Sequence, residues 1–379
     1  MTKEPDDDEW RIYHITNTEA TQFADYLATK ETVLTHAGSN IAFGNNQPFF
    51  IDFEYLPKYG RILAAHKESK DLHYSDDDGE TWTSVDFSST IKSGINGIVH
   101  FQYDQKNDYL YASAMDGGQG ASGRIVRSLD GGATWESNYL ISSPTEHASS
   151  AGSMILVGTS EFGVGGYSEY RMVVDAATDF EADGLNNEIL QFSSSAWRHM
   201  QKAVYSEYYQ RCVGYGYSDA VDDTADVYDI RSFIMTPSPN VNDTDPVILF
   251  NSSNIDTNRP IGLPAQAKNL FVWGAENGRI LYSEDLSSFT YYQLDSQTND
   301  LMVFYLDGYD LFLAVTHENS PDAYIARDPT SESNWTKLET SDGSKPLASV
   351  DLNISDIFHP NAPNRMIRSL PNGRIIIGS

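Results

Sequence analysis

One string in this chain leaves few folds open. Leu72-His-Tyr-Ser75-Asp-Asp77-Asp-Gly79-Glu-Thr81-Trp82 returns about fifty residues later as Ile125-Val-Arg-Ser128-Leu-Asp130-Gly-Gly132-Ala-Thr134-Trp135. Both reduce to Ser-x-Asp-x-Gly-x-Thr-Trp. The string has the chemistry of a tight turn between two strands. An Asp carboxylate can accept from backbone N–H groups just ahead of it, and Gly supplies a backbone conformation that a Cβ would forbid. Ser and Thr hydroxyls satisfy the remaining polar groups, and the indole covers the turn. A turn repeated at this interval marks an array of supersecondary units stacked on one another.

Weaker copies keep the rhythm. Ile280-Leu-Tyr-Ser283-Glu-Asp285-Leu-Ser-Ser-Phe289 keeps the Ser and the Asp, with the aromatic one position early, and Tyr324 to Trp335 keeps Asp328 and the Trp with a two-residue insertion. Arg171 to Phe180 and Tyr228 to Phe233 fall at the intermediate places without a full turn string. Ahead of each turn stand paired β-rich runs, such as 49–55 with 61–65, 98–103 with 109–112, 203–205 with 211–215 and 301–305 with 311–315. These units run over 48–87, 93–140, 147–193, 197–250, 256–295 and 299–340, with a shorter last unit at 349–379. The fold expected is all-β: a β-propeller of four-stranded blades, seven in number with six as the alternative. Its short last unit needs a strand borrowed from the other terminus, because closure removes exposed sheet edges. Arg11–Ile15 and Asn40–Phe43 are the candidates for that strand. Residues 1–47 then form an N-terminal segment, with a short helix expected over Thr18–Lys30, and 48–379 form the propeller.

The two full strings resemble the Asp box of sialidases and related propellers, the bacterial neuraminidase repeat. The resemblance implies that each box joins the third and fourth strands of a blade, on the face opposite an active site. On that basis Ser75, Asp77, Gly79, Thr81 and Trp82, with Ser128, Asp130, Gly132, Thr134 and Trp135, are structural. A sialidase of that family also needs three arginines to clamp a carboxylate, a Tyr nucleophile paired with Glu, and an Asp acid. Multiple guanidinium forks are a demanding requirement. The family's Arg-Ile-Pro motif near the first blade has no counterpart here; Asn258-Arg259-Pro260 comes closest, late in the chain and without the Ile.

Charge narrows the partners. Asp and Glu number 54 against 25 Lys and Arg, a formal net charge of −29. Such a surface repels a duplex and an anionic bilayer, so nucleic-acid binding is not expected. Two readings of the charge stay open: an ordinary acidic protein, or adaptation to high salt, where screening removes self-repulsion. No apolar run of 18 residues is present, so membrane insertion is not expected. Met1–Trp10 does not read as a secretory signal peptide, which points to a cytoplasmic or virion location. Cys212, the single cysteine, sits in an apolar and aromatic run and reads as a strand residue.

The ligand face of a propeller is expected where loops between second and third strands gather with the links between blades. Asp116 in the loop 116–122, with His147, Trp197, Arg198 and Arg259 in the links, are the candidate ligand-binding residues. No catalytic residue is assigned and no cofactor is expected. Asp219, Asp222, Asp223 and Asp226 could take Ca²⁺ through oxygen ligands but lack the order of a known calcium loop, and a solvated acidic loop is the plainer reading. The function expected is a non-catalytic binding or structural module: a surface-exposed virion protein meeting a host glycan or a neighbouring virion protein, with homo-oligomer or virion assembly. A sialidase-like glycoside hydrolase and an intracellular assembly factor are the alternatives.

Overall fold

The computed structural model describes residues 12–15, 50–66, 71–86, 95–104, 108–116, 123–141, 145–151, 154–159, 169–173, 189–191, 199–206, 208–209, 211–218, 227–233, 247–251, 260–295, 299–318, 321–339, 345, 367–370 and 375–378. Strand β1 (Ile12–Ile15) comes first. The first blade holds β2 (Phe50–Leu56), β3 (Arg61–His66), β4 (Asp71–Ser75) and β5 (Thr83–Asp86). The second holds β6 (Ile95–Asp104), β7 (Tyr109–Asp116), β8 (Gly123–Ser128) and β9 (Glu136–Ile141), and the third β10 (Thr145–Ala151), β11 (Met154–Thr159), β12 (Glu169–Val173) and β13 (Ile189–Gln191). The fourth holds β14 (His199–Ser206), β15 (Arg211–Ser218), β16 (Val227–Phe233) and β17 (Val247–Asn251). The fifth holds β18 (Pro260–Ala267), β19 (Leu270–Ala275), β20 (Arg279–Ser283) and β21 (Thr290–Gln293), and the sixth β22 (Leu301–Leu306), β23 (Leu311–Thr316), β24 (Ala323–Ala326) and β25 (Thr336–Lys337). β26 (Ile367–Ser369) and β27 (Ile375–Gly378) end the chain.

Each group of four is one antiparallel sheet with its strands in sequence order, and the last sheet runs β1-β27-β26. Successive first strands β2, β6, β10, β14, β18, β22 and β26 touch one another in turn. Arg368 on β26 closes the circuit by donating to the Phe53 carbonyl of β2 and pairing with Glu54, both at 2.9 Å. The chain is a β-propeller, and of the two strand candidates at the N-terminus it is Ile12–Ile15 that pairs with Ile375–Gly378. The helix expected over Thr18–Lys30 and the strand candidate Asn40–Phe43 lie outside the described residues.

Among the described residues the first and fifth blades are buried on both faces, which explains why their inner strands read as near-continuous apolar runs. In β3, Leu63 and Ala65 face the second blade and pack with Phe101, Leu110, Val126 and Trp135. Their neighbours Ile62 and Ala64 face the other way, with Phe53, and pack on Leu370 of the terminal sheet. In the fifth blade Val272 and Ile280 pack with Leu301 and Phe312 of the sixth, while Phe271, Trp273 and Leu281 join Val213 of the fourth. Polar groups also cross between blades: Asp52 is fully buried on β2 and accepts from the Phe101 N–H of β6 at 2.7 Å. Fifth and sixth blades approach so closely at Gly274 that a Cβ there would sit 1.9 Å from the Leu301 carbonyl oxygen.

The two full Ser-x-Asp-x-Gly-x-Thr-Trp turns join β4 to β5 and β8 to β9 and match bond for bond. Ser75 Oγ donates to Asp77 at 2.7 Å and accepts from Gly79 N–H at 2.7 Å. Asp77 accepts from the Thr81 N–H at 2.8 Å and from its hydroxyl at 2.5 Å, and the Trp82 indole N–H donates to the Gly79 carbonyl at 3.0 Å. Ser128, Asp130, Gly132, Thr134 and Trp135 make the same set between 2.6 and 3.0 Å. Gly79 and Gly132 have φ of 84° and 91°, where a side chain is strained. The residue before each Gly is also left-handed, and the position takes either Gly131 or Asp78, a residue that tolerates this region. Asp285 holds the shortened fifth-blade turn through the Ser287 and Ser288 N–H groups at 2.8 and 2.7 Å. There Leu286 takes the left-handed conformation, its N–H held by Ser283 Oγ at 2.9 Å and its side chain buried. Burial of that side chain, worth roughly 1.5–3 kcal/mol, offsets the backbone strain.

Burial alone would raise the Asp77 and Asp130 carboxyls, but the bonds from Thr81 and Ser75, and from Thr134 and Ser128, outweigh it and hold both below the usual carboxylate range. The Ser287 and Ser288 N–H groups lower Asp285 in the same direction. Because the folded values are depressed, this stabilisation is complete above the unfolded carboxylate range near pH 4 and is lost as pH falls through the folded values. Asp77→Asn and Asp130→Asn are therefore expected to flatten the loss of stability below about pH 4, measured by denaturant melts from pH 2 to 7. Gly274→Ala is expected to cost about 3 kcal/mol, the upper end of overpacking penalties, seen as a lower urea midpoint with an unchanged slope.

Candidate functional site

Antiparallel order within each blade sorts the connections onto two ends of the ring. Turns between first and second strands share one end with the Asp-bearing turns between third and fourth strands. Loops between second and third strands share the other end with the links between blades. The described part of that second end lies mainly on the fifth and sixth blades, and it is built from the backbone outward.

In the fifth blade β19 turns into β20 through Glu276–Gly278, with Asn277 and Gly278 at φ of 59° and 70°. The Gly278 carbonyl accepts from both Leu294 and Asp295 N–H at 2.9 Å, which turns the chain leaving β21 back over the loop. The Gln293 amide donates to the Asn277 carbonyl at 2.5 Å and accepts from Arg279 Nε at 3.1 Å. Asp300, just before β22, ties the two blades: its carboxylate accepts from Asn277 N–H at 3.1 Å and its carbonyl from His317 N–H at 2.8 Å.

The β23–β24 loop continues the site. Thr316 Oγ donates to Glu318 at 2.7 Å and accepts from Asp322 N–H at 2.7 Å, while Thr316 N–H donates to the Asp322 carbonyl at 2.9 Å. Two lysines enter this frame. Lys345, beyond the sixth blade, lies 3.1 Å from Glu318 Oε1 and 3.5 Å from Asp322 Oδ1. Lys337 on β25 reaches Asp322 Oδ2 at 2.9 Å, with its ammonium 5.7 Å from the Tyr324 ring centroid. Burial would lower the Lys345 ammonium, but the Glu318 bond and the charges of Asp322 and Glu318 reverse the shift and raise it. Tyr324 is pushed the same way, by burial first and then by Asp295 and Asp322.

Asp322 is buried and Glu318 and Lys345 half-buried, so this is a partly desolvated lattice of charges and not a row of surface pairs. Glu318 and Asp322 share one ammonium and each also holds part of its own loop. Their carboxylates bind side chains of their own chain, the Thr316 hydroxyl and the ammonium groups of Lys337 and Lys345. Among the described residues no group of three or more His, Cys, Asp or Glu is placed to hold a metal ion.

Of the ligand-binding residues expected from the sequence, Trp197, Arg198 and Arg259 lie outside the described residues, as do the loop 117–122 and the cluster Asp219, Asp222, Asp223 and Asp226. Asp116 is the last residue of β7, opposite Ile95. His147 is not in a link between blades but within β10, opposite Gly158 after a bulge at Thr145. The extra residue of that bulge carries the strand past the point where alternation alone would begin it. β7 and β10 touch, and the two residues sit at the same end of adjoining blades.

Several working residues were not singled out from the sequence. Glu318, Asp322 and Lys345 left no signal, since an acid near a lysine is unremarkable in so acidic a chain. Tyr59 did leave one. Tyr55-x-x-x-Tyr59, Tyr205-x-x-x-Tyr209 and Tyr305-x-x-x-Tyr309 place a tyrosine in the first hairpin turn of three blades.

No protein-family model matches the sequence, and no curated protein matches it. Solved structures do. YCF48 from Cyanidioschyzon merolae is similar over 80% of this chain and 88% of its own, at 13% identity and a TM-score of 0.51. The WD40 β-propeller domain of Doa1 is similar over 89% of this chain and 91% of its own, at 14% identity and a TM-score of 0.48. A chain of the nidogen/laminin complex is similar over 76% and 96%, at 11% identity and 0.46. At these identities the first likeness supports the fold alone, and the other two are too loose to carry an argument. The strand order and this likeness define the chain as a β-propeller.

Lys345→Met removes the shared ammonium from Glu318 and Asp322. It is expected to lower the melting temperature, and the loss in Lys345→Met/Asp322→Asn should fall short of the sum of the single losses by about 1 kcal/mol. Thermal melts of the four proteins in low salt form the cycle that checks this.

Proposed function

We propose that this chain is a non-catalytic propeller that presents the end away from its Asp-bearing turns to a partner, as a surface-exposed virion protein meeting a host glycan or a neighbouring virion protein. One observation carries the reading: three carboxylates described at that end, those of Asp300, Glu318 and Asp322, are engaged by groups of their own chain. Asp300 binds two backbone N–H groups, one through its carboxylate and one through its carbonyl, and Glu318 and Asp322 share Lys345. A pair of carboxylates set to hydrolyse a glycosidic bond must instead face the sugar from opposite sides, one protonated. The likeness of the turns to the sialidase Asp box bears on the frame of the blades, since those turns bind their own backbone. A net charge of −29 fits a protein working at high salt, where screening relieves self-repulsion.

A glycan array in low and in molar salt, with mass spectrometry of every glycan retained, tests this reading. Binding without cleavage, stronger in molar salt, is the expected result. Hydrolysis of a retained glycan would overturn the non-catalytic reading, and absence of retention at both salts would remove the glycan and leave the protein partner.

A further inference from the structure

The Asp-bearing turns face a neighbour as well as themselves. In the second blade, Ser128 and Asp130 hold the turn, and Leu129 between them directs its carbonyl to the first blade. Tyr59, in the β2–β3 turn, donates its hydroxyl to that carbonyl at 3.2 Å. The Tyr59 ring lies so close to Gly131 that a Cβ there would come within 2.8 Å of it. Arg61 adds a second clasp, with Nη1 on the Gly131 carbonyl at 2.9 Å while Nε and Nη2 grip Asp76 of its own blade at 2.6 and 2.9 Å. Lys58 reaches Asp108 of the second blade at 3.0 Å.

The same arrangement recurs between the fourth and fifth blades, where the turn is one residue shorter. Tyr209, in the β14–β15 turn, donates to the carbonyl of Glu284, the residue between Ser283 and Asp285, at 2.5 Å. It also lies 3.2 Å from the Asn269 carbonyl, and the Asn269 amide reaches the same Glu284 carbonyl at 3.0 Å. Two turns of different length therefore offer the equivalent carbonyl to a tyrosine at the equivalent place in the blade before. Tyr309 stands at a third such place, in the β22–β23 turn, where the neighbouring Gly308 N–H meets Ser369 Oγ of the terminal sheet at 3.3 Å.

We propose that each of these turns is a socket for the hairpin tyrosine of the preceding blade, so that Tyr59 and Tyr209 are inter-blade fasteners that set how neighbouring blades meet at this end. The Ser and Asp of the turn bond inward and fix its shape. The peptide between them has its carbonyl left to bond outward, and the tyrosine takes it. This accounts for a feature that turn chemistry alone leaves unexplained, namely why position 131 accepts no side chain.

Hydrogen–deuterium exchange on Tyr59→Phe and Tyr209→Phe tests the proposal. Removing one hydroxyl is expected to speed exchange of the Gly132 and Thr134 amides about fivefold in Tyr59→Phe, with the Gly79 and Thr81 amides of its own blade unchanged. Tyr209→Phe is expected to do the same to Leu286, Ser287 and Ser288. Tyr208→Phe, altering an adjacent ring that is 63% exposed, serves as the control and should leave exchange as it is. Unchanged exchange in the following blade, or an equal rise in every turn, would overturn the proposal.

Discussion

Antiparallel pairing of Ile12–Ile15 with Ile375–Gly378 sets the terms for the rest of the ring. A sheet leaves unpaired N–H and C=O groups along its edges, and a row of sheets adds an open apolar face at each end. Bringing both termini into one sheet lets the last blade meet the first. Arg368 then spans the seam to Phe53 and Glu54, and Leu370 packs on Phe53, Ile62 and Ala64. The core is accordingly a series of apolar layers between blades, as in the first and fifth, whose inner strands present apolar side chains to both neighbours.

The two ends of the ring are organised by different physics. At one end short turns are fixed by carboxylates bonded to their own backbone, with tyrosines reaching across blades. At the other end, in the sixth blade, charges of opposite sign interlock around the β23–β24 loop. Within the turns the bonds are specified by a few residues in a fixed order. The charge lattice is assembled from side chains that no recurring string links, such as Asp322 and Lys345.

That difference explains how much the amino-acid sequence discloses. The order Ser-x-Asp-x-Gly-x-Thr-Trp encodes its own bonds, so the turns and the strand pairs before them are legible, and six units agree with six four-stranded sheets to within a few residues. The borrowed strand is legible as a need, since the last unit is short, but 11–15 and 40–43 are equally apolar and only the pairing distinguishes them. His147 belongs to β10 and not to the link before it, because the strand starts at Thr145 with a bulge that no residue type announces. The ligand face resists reading for a chemical reason: with 54 acidic residues, no single carboxylate stands out, and the lattice around Lys345 depends on distances that spacing does not reveal.

The pairing of Ile12 with Gly378 also has a meaning in time. These residues are nearly the whole chain apart, and closing a loop of that length costs on the order of 5 kcal/mol in chain entropy. During synthesis β1 emerges before any of the six four-stranded blades and its partner β27 after all of them. The intervening blades can fold as hairpins of short range while the N-terminal strand waits, its hydrogen-bonding edge unmet. The first and sixth blades each keep one apolar face uncovered until the terminal sheet forms between them. Assembly of the ring thus follows the order of synthesis, and the interval before β27 emerges is when a neighbouring nascent chain competes for that open edge.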